Sequence, residues 1–230
     1  LIKLLIKFTY KFSNTIIAIS KELGKDIENL CNKKVITIYN PSFDKSIYKA
    51  AKKKIKKPNY KVILNISRFE KQKNHLMLLK SFKDLKTQMN VKLFLIGYGE
   101  EEKNILNYIR KNNLSDKIKI IRNKNEVYHY YKISDLFVLT SLYEGFGNVL
   151  VEAAMFKVPI ISTNCKSGPK EILNKGKFGD LVKVDDNKKL TNLILKNLQK
   201  KNKKKISLMY NSLNRFGVKN HILKYEKIFE

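Results

Sequence analysis

The sequence predicts an α/β fold, a Rossmann-like parallel sheet with helices on both faces. Three observations predict it. Short apolar runs alternate with stretches of helical spacing from residue 61 to about residue 200, the pattern of parallel strands joined by helical crossovers. The segment Glu144-Gly-Phe-Gly-Asn-Val-Leu-Val-Glu152 places two glycines where an apolar strand hands over to a helix. The other polar and glycine-bearing motifs also fall after the apolar runs, where the ligands of such sheets bind.

The elements follow in order. Residues 1–11 carry apolar side chains at helical spacing with lysines between them. Such a helix suits a membrane surface and equally a face packed on another domain. Residues 14–19 read as a short strand. Ser20 caps a helix over 21–30, with Glu22 near its positive end. Residues 35–39 form another short strand, stopped by Asn40-Pro41. A lysine-rich connector over 41–58, with room for one short helix, reads as a domain boundary.

A new unit over 59–205 then begins. Strands are expected at 61–66, 91–96, 118–121, 136–140, 159–163 and 179–184. Helices are expected at 75–85, 101–111, 127–133, 149–156 and 188–200, with a helical turn at 170–173. Residues 206–230 form a final helical segment that kinks near Gly217.

Composition bounds the function. At 230 residues and 43% apolar, the chain can bury a substantial core. Its formal charge of +28 suggests a nucleic-acid or structural role at first sight. However, the excess is lysine spread along the whole chain, and the only arginines are Arg68, Arg110, Arg122 and Arg215. Specific nucleic-acid surfaces cluster their basic residues and use arginine forks. Cys31 and Cys165 make neither a disulfide framework nor a CxxC site, so a cytoplasmic setting is the default. No His, Cys or Asp spacing suggests a metal, and no P-loop or nucleophile elbow occurs.

The chemistry gathers in a few places. At the 144–152 junction, free backbone N–H groups can hold anionic oxygen, while Glu144 and Glu152 can accept hydroxyls. That combination suits a polyhydroxy ligand carrying phosphate, such as a sugar nucleotide. Arg68 directly follows one strand and Lys73 lies five residues on, so the two can clamp a diphosphate. Gly97-Tyr-Gly99 allows a tight turn or a close approach. His75 reads as a packing residue, and Tyr128 to Tyr131 as core.

Taken together, these motifs resemble family 4 glycosyltransferases of the GT-B type, from residue 16 onward. Tyr143-Glu-Gly-Phe-Gly-Asn-Val-Leu-Val-Glu152 matches that family's paired-glutamate motif, and Ile66-Ser-Arg-Phe-Glu-Lys-Gln-Lys-Asn74 its donor-phosphate loop. Leu95-Ile-Gly-Tyr-Gly99, Val158-Pro-Ile-Ile-Ser162 and Ser167-Gly-Pro-Lys-Glu-Ile172 fit in the expected order. The nearest resemblance is to bacterial enzymes of surface-polysaccharide or lipid-linked-oligosaccharide synthesis.

The resemblance implies a retaining hexosyltransferase that uses a UDP-sugar and needs no metal or other cofactor. Arg68 and Lys73 would neutralise the leaving diphosphate. Glu144, with backbone amides around Gly145, Phe146, Gly147, Asn148 and Val149, would hold the sugar. Glu152 would accept the ribose hydroxyls, and Arg122, Asn123 and Lys124 would lie near the base. The implied partners are a nucleotide sugar and a glycan or polyprenyl-linked glycan acceptor, with a peripheral contact on the inner membrane face.

The chain departs from the pattern at its start, where 1–40 resembles only a remnant of the acceptor-side N-terminal domain. The expectation is therefore a donor half, either a truncated enzyme or the nucleotide-sugar-binding half of a split one. In the split case a separate chain would supply the complementary domain. A basic nucleic-acid-binding or structural protein is the remaining alternative.

Overall fold

The computed structural model describes residues 2–43, 45–52, 54–85, 89–122 and 127–230. Strands β3 (Lys61–Ile66), β4 (Val91–Ile96), β5 (Ile118–Ile121), β6 (Leu136–Leu139), β7 (Ile160–Thr163) and β8 (Asp180–Val182) form one parallel sheet. Its order is β5-β4-β3-β6-β7-β8. The chain thus builds outward from β3 to one side and then returns to build the other. This doubly wound order opens a crevice between the carboxyl ends of β3 and β6.

Alternation along the strands divides the core into two layers. In β4, Leu93 and Leu95 point to one layer, while Phe94 and Ile96 point to the other. The first layer is covered by α4 (His75–Leu85), α5 (Glu102–Lys111) and α9 (Asn187–Gln199). The second is covered by α3 (Lys45–Lys52), α6 (Val127–Ile133), α7 (Asn148–Met155), α8 (Pro169–Ile172) and α10 (Lys203–Asn211). The connector residues Phe43 and Ile47 are buried in this second layer, with Ile55 packed against it.

The first forty residues form a smaller layer of α1 (Ile2–Thr9), β1 (Ile17–Ala18), α2 (Lys21–Cys31) and β2 (Ile36–Thr37). β1 and β2 pair in parallel as a separate sheet. Both are shorter than their apolar runs suggest, because two residues of each suffice for the pairing. Ser20 caps α2, its hydroxyl accepting from the Leu23 N–H. On α1 and the turn after it, Leu4, Leu5, Phe8 and Phe12 are exposed. At the other end, α11 (Val218–Phe229) follows a break at Gly217, where the backbone runs extended beside Phe43. No described helix is long and apolar enough to cross a membrane.

Candidate functional site

Two loops meet at the crevice between β3 and β6. The first runs from Ser67 to Asn74. Its backbone is pinned against the turn after β4, with the Ser67 N–H on Ile96 O and the Phe69 N–H on Tyr98 O. The two glycines of that turn make this approach possible. A Cβ on Gly97 would stand 1.9 Å from the Ser67 carbonyl oxygen, and one on Gly99 2.4 Å from that of Phe69. Gly97-Tyr-Gly99 therefore serves close backbone packing.

Beneath this loop lies a buried polar chain. Ser67 Oγ donates to Asn65 Oδ1 at 2.9 Å and meets His75 Nε2 at 2.9 Å. The Asn65 amide in turn donates to the Val138 carbonyl. Burial and the nearby Lys73 charge push the His75 pKa down to about 4, so the ring is neutral. With Ser67 donating to Asn65, His75 donates through Nε2, and its buried Nδ1 has no partner among the described residues.

The second loop runs from Thr140 to Gly147. Thr140 Oγ1 lies within hydrogen-bond reach of the Lys73 and Asn74 carbonyls, at 3.1 and 3.0 Å. The Leu142 N–H donates to Gln72 O, and the Gln72 amide donates to Tyr143 O. On the far side, the Glu144 N–H donates to Lys166 O at 3.1 Å. A Cβ on Gly168 would stand 1.8 Å from the Phe146 carbonyl oxygen, so only glycine lets the 167–171 loop close on this turn.

This stitching brings Lys73 onto Glu144. The ammonium lies 2.6 Å from Glu144 Oε1, and the Ser141 hydroxyl donates to the same oxygen at 2.6 Å. Both side chains are largely withdrawn from water, at 13% and 8% exposure. A pair this dry interacts strongly and depends on each partner. Gly147 then turns left-handed at φ 101° and starts α7, and Gly145 and Asn148 on either side of the turn are exposed. Phe146 turns its ring inward, stacked on Tyr39.

Glu152 lies on α7 and accepts the Tyr131 hydroxyl at 2.9 Å. Burial raises its pKa, and the Tyr131 hydrogen bond offsets part of that rise. Tyr131 is fully buried and stacked on Phe156, so the aromatic expected as core also orients a site carboxylate.

The structure does not bring every candidate together. Arg68 is 65% exposed and paired with Glu70 at 2.7 Å, and no hydrogen bond or salt bridge among the described residues joins it to Lys73 or Glu144. Arg122 pairs with Glu102 at the start of α5. Asn123 and Lys124 lie outside the described residues. Among the described residues no group of three or more His, Cys, Asp or Glu could hold a metal ion. Burial raises the Cys165 pKa to about 11, so its thiol stays protonated.

Several contributors carried no signal in the sequence. Thr140 and Gln72 bond residues about seventy positions away, and Ser141 bonds Glu144 three positions on; nothing local marks such partners. Glu171, part of the 167–172 motif, and Glu22, placed at a helix start, gave no sign of their partners: the two Glu171 oxygens accept the Lys21 and Glu22 N–H groups at 2.9 Å each, and Glu22 accepts the Ser167 N–H. These exchanged carboxylates fasten the first-forty-residue layer to the loop after β7.

The profile of the family described as "Glycosyl transferases group 1" matches residues 47–215. The chain belongs to this family. It is a group 1 glycosyltransferase chain with the Rossmann-like C-terminal domain of the GT-B type. It is 32% identical over 187 residues to the N-acetylgalactosamine-N,N'-diacetylbacillosaminyl-diphospho-undecaprenol 4-alpha-N-acetylgalactosaminyltransferase of Campylobacter jejuni, covering 80% of this chain and 50% of that one. It is 30% identical over 189 residues to the N-acetyl-alpha-D-glucosaminyl L-malate synthase of Bacillus anthracis, covering 79% and 49%. The chain thus spans about half the length of these relatives. Among solved structures, Anabaena HepE in complex with UDP and glucose superposes with a TM-score of 0.86 at 21% identity, over 99% of this chain and 66% of that one. At that identity the superposition speaks for the fold alone.

Proposed function

We propose that this glycosyltransferase chain is the donor-binding half of a retaining hexosyltransferase that uses a UDP-sugar. The observation that carries the reading is the dry Lys73–Glu144 pair at the strand-order reversal, beside the glycine turn that opens α7. A cation there can take charge from a leaving diphosphate, and a neighbouring carboxylate can accept sugar hydroxyls.

Lys73 would share its charge between Glu144 and the diphosphate, and Arg68 would leave Glu70 to join it. Backbone amides from Gly145 to Val149 would hold the sugar and phosphate oxygens. Glu152, oriented by Tyr131, would accept the ribose hydroxyls, and the loop beginning at Arg122 would border the base. In the reaction the anomeric carbon–oxygen bond to the diphosphate breaks, with both electrons going to the phosphate. An acceptor hydroxyl bonds the same carbon with retention, and its proton passes to the leaving phosphate. No metal is invoked, because Arg68 and Lys73 supply the positive charge.

The acceptor is proposed to be a glycan or a lipid-diphosphate-linked glycan, in keeping with the acceptor in the Campylobacter jejuni relative's name. The exposed apolar residues of α1 would then support a peripheral membrane contact. The acceptor side of the site would come from a further domain, in the same chain or a separate one.

Titration of the purified chain with UDP and UDP-sugars at physiological salt, beside Arg68→Ala and Glu152→Ala, tests the reading. Saturable binding weakened in both folded variants supports it. A folded chain that binds no nucleotide sugar refutes it.

A further inference from the structure

A second cleft lies away from the Lys73–Glu144 pair, between α2 and α8. It has a volume of about 480 Å³ and shares none of its lining with that pair, Arg68 or Glu152. Its cations are Lys21, Lys25, Lys170, Lys175 and Arg215, and its carboxylates are Glu22 and Glu171. Both carboxylates are already committed. Glu171 holds the backbone N–H groups of Lys21 and Glu22, and Glu22 holds that of Ser167. Burial, and then the Glu171 carboxylate nearby, push the Tyr39 pKa up to about 12. The acids of the cleft therefore serve to close it, and its positive charge exceeds their negative charge.

One cation is fixed in place. Arg215 is half-buried, with its guanidinium 4.5 Å from the Phe216 ring centre and 5.5 Å from that of Phe178. Nε donates to Ser212 O, and Nη2 donates to Ile172 O and Ser212 Oγ. Among the described residues Nη1 has no hydrogen-bond partner, and it is the donor left for a ligand. A guanidinium held flat by aromatic rings loses little freedom when it binds an oxyanion. The rim turn is also shaped at some cost, since Asn174 and Lys175 both adopt left-handed backbone, at φ 44° and 53°.

We propose that this cleft binds a phosphate or diphosphate group, at a site separate from the one proposed for the nucleotide sugar. Arg215 is its anchor, and the four lysines complete the neutralisation. Two sources share this chemistry, a soluble phosphorylated compound and the headgroup of a phosphorylated lipid. The proposal does not rest on the donor reading.

Lysine is abundant here, so the test must separate the cleft from the overall charge. Inorganic pyrophosphate is titrated calorimetrically into the full chain at physiological salt. The same titration is run on Lys170→Glu with Lys175→Glu, and on Lys103→Glu with Lys111→Glu as a control of equal charge change. All four lysines are exposed, so the fold should survive. The expected result is saturable binding that weakens about tenfold or more in the 170/175 variant and much less in the control. Arg215→Lys, which keeps the charge and loses the fork, should weaken it as well.

Equal weakening in both charge-reversal variants would overturn the proposal, as would the absence of saturable binding. Loss of binding in Arg68→Ala would also overturn it, by placing pyrophosphate at the other site. Phosphatidylcholine vesicles with and without phosphatidic acid then distinguish the sources. Capture that needs phosphatidic acid and Lys170/Lys175 assigns a lipid headgroup. Pyrophosphate binding that needs those lysines without such capture assigns a soluble phosphate.

Discussion

The two ends of β6 each carry a buried carboxylate beside lysine, and they are built for different ends. At the amino end, Asp135 accepts the Val62 N–H and is ringed by Lys57, Lys61 and Lys201 at 3.7, 3.7 and 3.1 Å. Those lysines are 37–47% exposed. Hydrogen bonds from Lys201 and Val62 hold the Asp135 pKa below the usual range despite its burial. Past the carboxyl end, Glu144 faces Lys73, which is only 13% exposed, just before the glycine turn that opens α7. Acid–lysine pairing alone therefore does not mark a site. The amino-end cluster has its positive charge in water. The carboxyl-end pair is dry and lies at the switch point, where the ligands of such sheets bind.

The sharpest way to break that distinction is Glu144→Ala. It leaves Lys73 without its carboxylate in a poorly solvated place and should cost about 3 kcal/mol, measured by urea unfolding. UDP should then stabilise the variant more than it stabilises the unaltered chain, because phosphate would replace the missing carboxylate. Equal thermal shifts would show that Lys73 does not pass between them.

The two ends should also fail in different pH windows. The folded-state pKa of His75 lies near 4, against 6.5 unfolded, so its neutral form is what the fold requires. That contribution is fully present above pH 6.5 and is lost as pH falls toward 4, a change of about 3 kcal/mol. His75→Asn should flatten the slope in this window. The Asp135 contribution persists there and is lost only as pH falls below 3.8, through its lowered folded pKa. Urea unfolding at stepped pH reads both.

Asp135→Ala completes the comparison at the amino end. The Val62 N–H loses its acceptor and three lysines lose their counter-charge, but those lysines are well solvated. The cost should be about 2 kcal/mol, and UDP affinity of the folded variant should not move. A change in affinity would join the two ends energetically and blur the distinction.

The strands and the 144–152 turn were legible because each is written locally. A run such as 61–66 is mostly apolar, with Val62, Ile63 and Leu64 in succession, and glycine at 147 announces a left-handed turn. The pairing of Lys73 with Glu144 was only half legible. Both residues stood out, as a phosphate cation and a sugar carboxylate, but their contact depends on Thr140, Gln72 and the loop after β7. Arg68 stood out through its scarcity, yet its salt bridge to Glu70 is set by how the loop curls. The attachment of the first forty residues was not legible. It rests on Glu171 and Glu22 meeting backbone N–H groups some 145–150 positions away, and a backbone amide has no sequence signature.

Glu152 offers the smallest and most discriminating change. Burial raises its folded-state pKa above 4.5, so the ionised form carries a cost in the fold at neutral pH. That cost is present above the folded pKa and fades as pH falls through it toward the unfolded value. Glu152→Gln removes the charge and keeps an acceptor for the Tyr131 hydroxyl. At pH 7 the variant should be more stable than the unaltered chain, and near pH 4 the gain should vanish. On the proposed ribose contact, UDP affinity should fall about tenfold in the same variant. Greater stability with unchanged affinity would make Glu152 a mere neighbour of Tyr131 and remove the ribose contact from the proposed site.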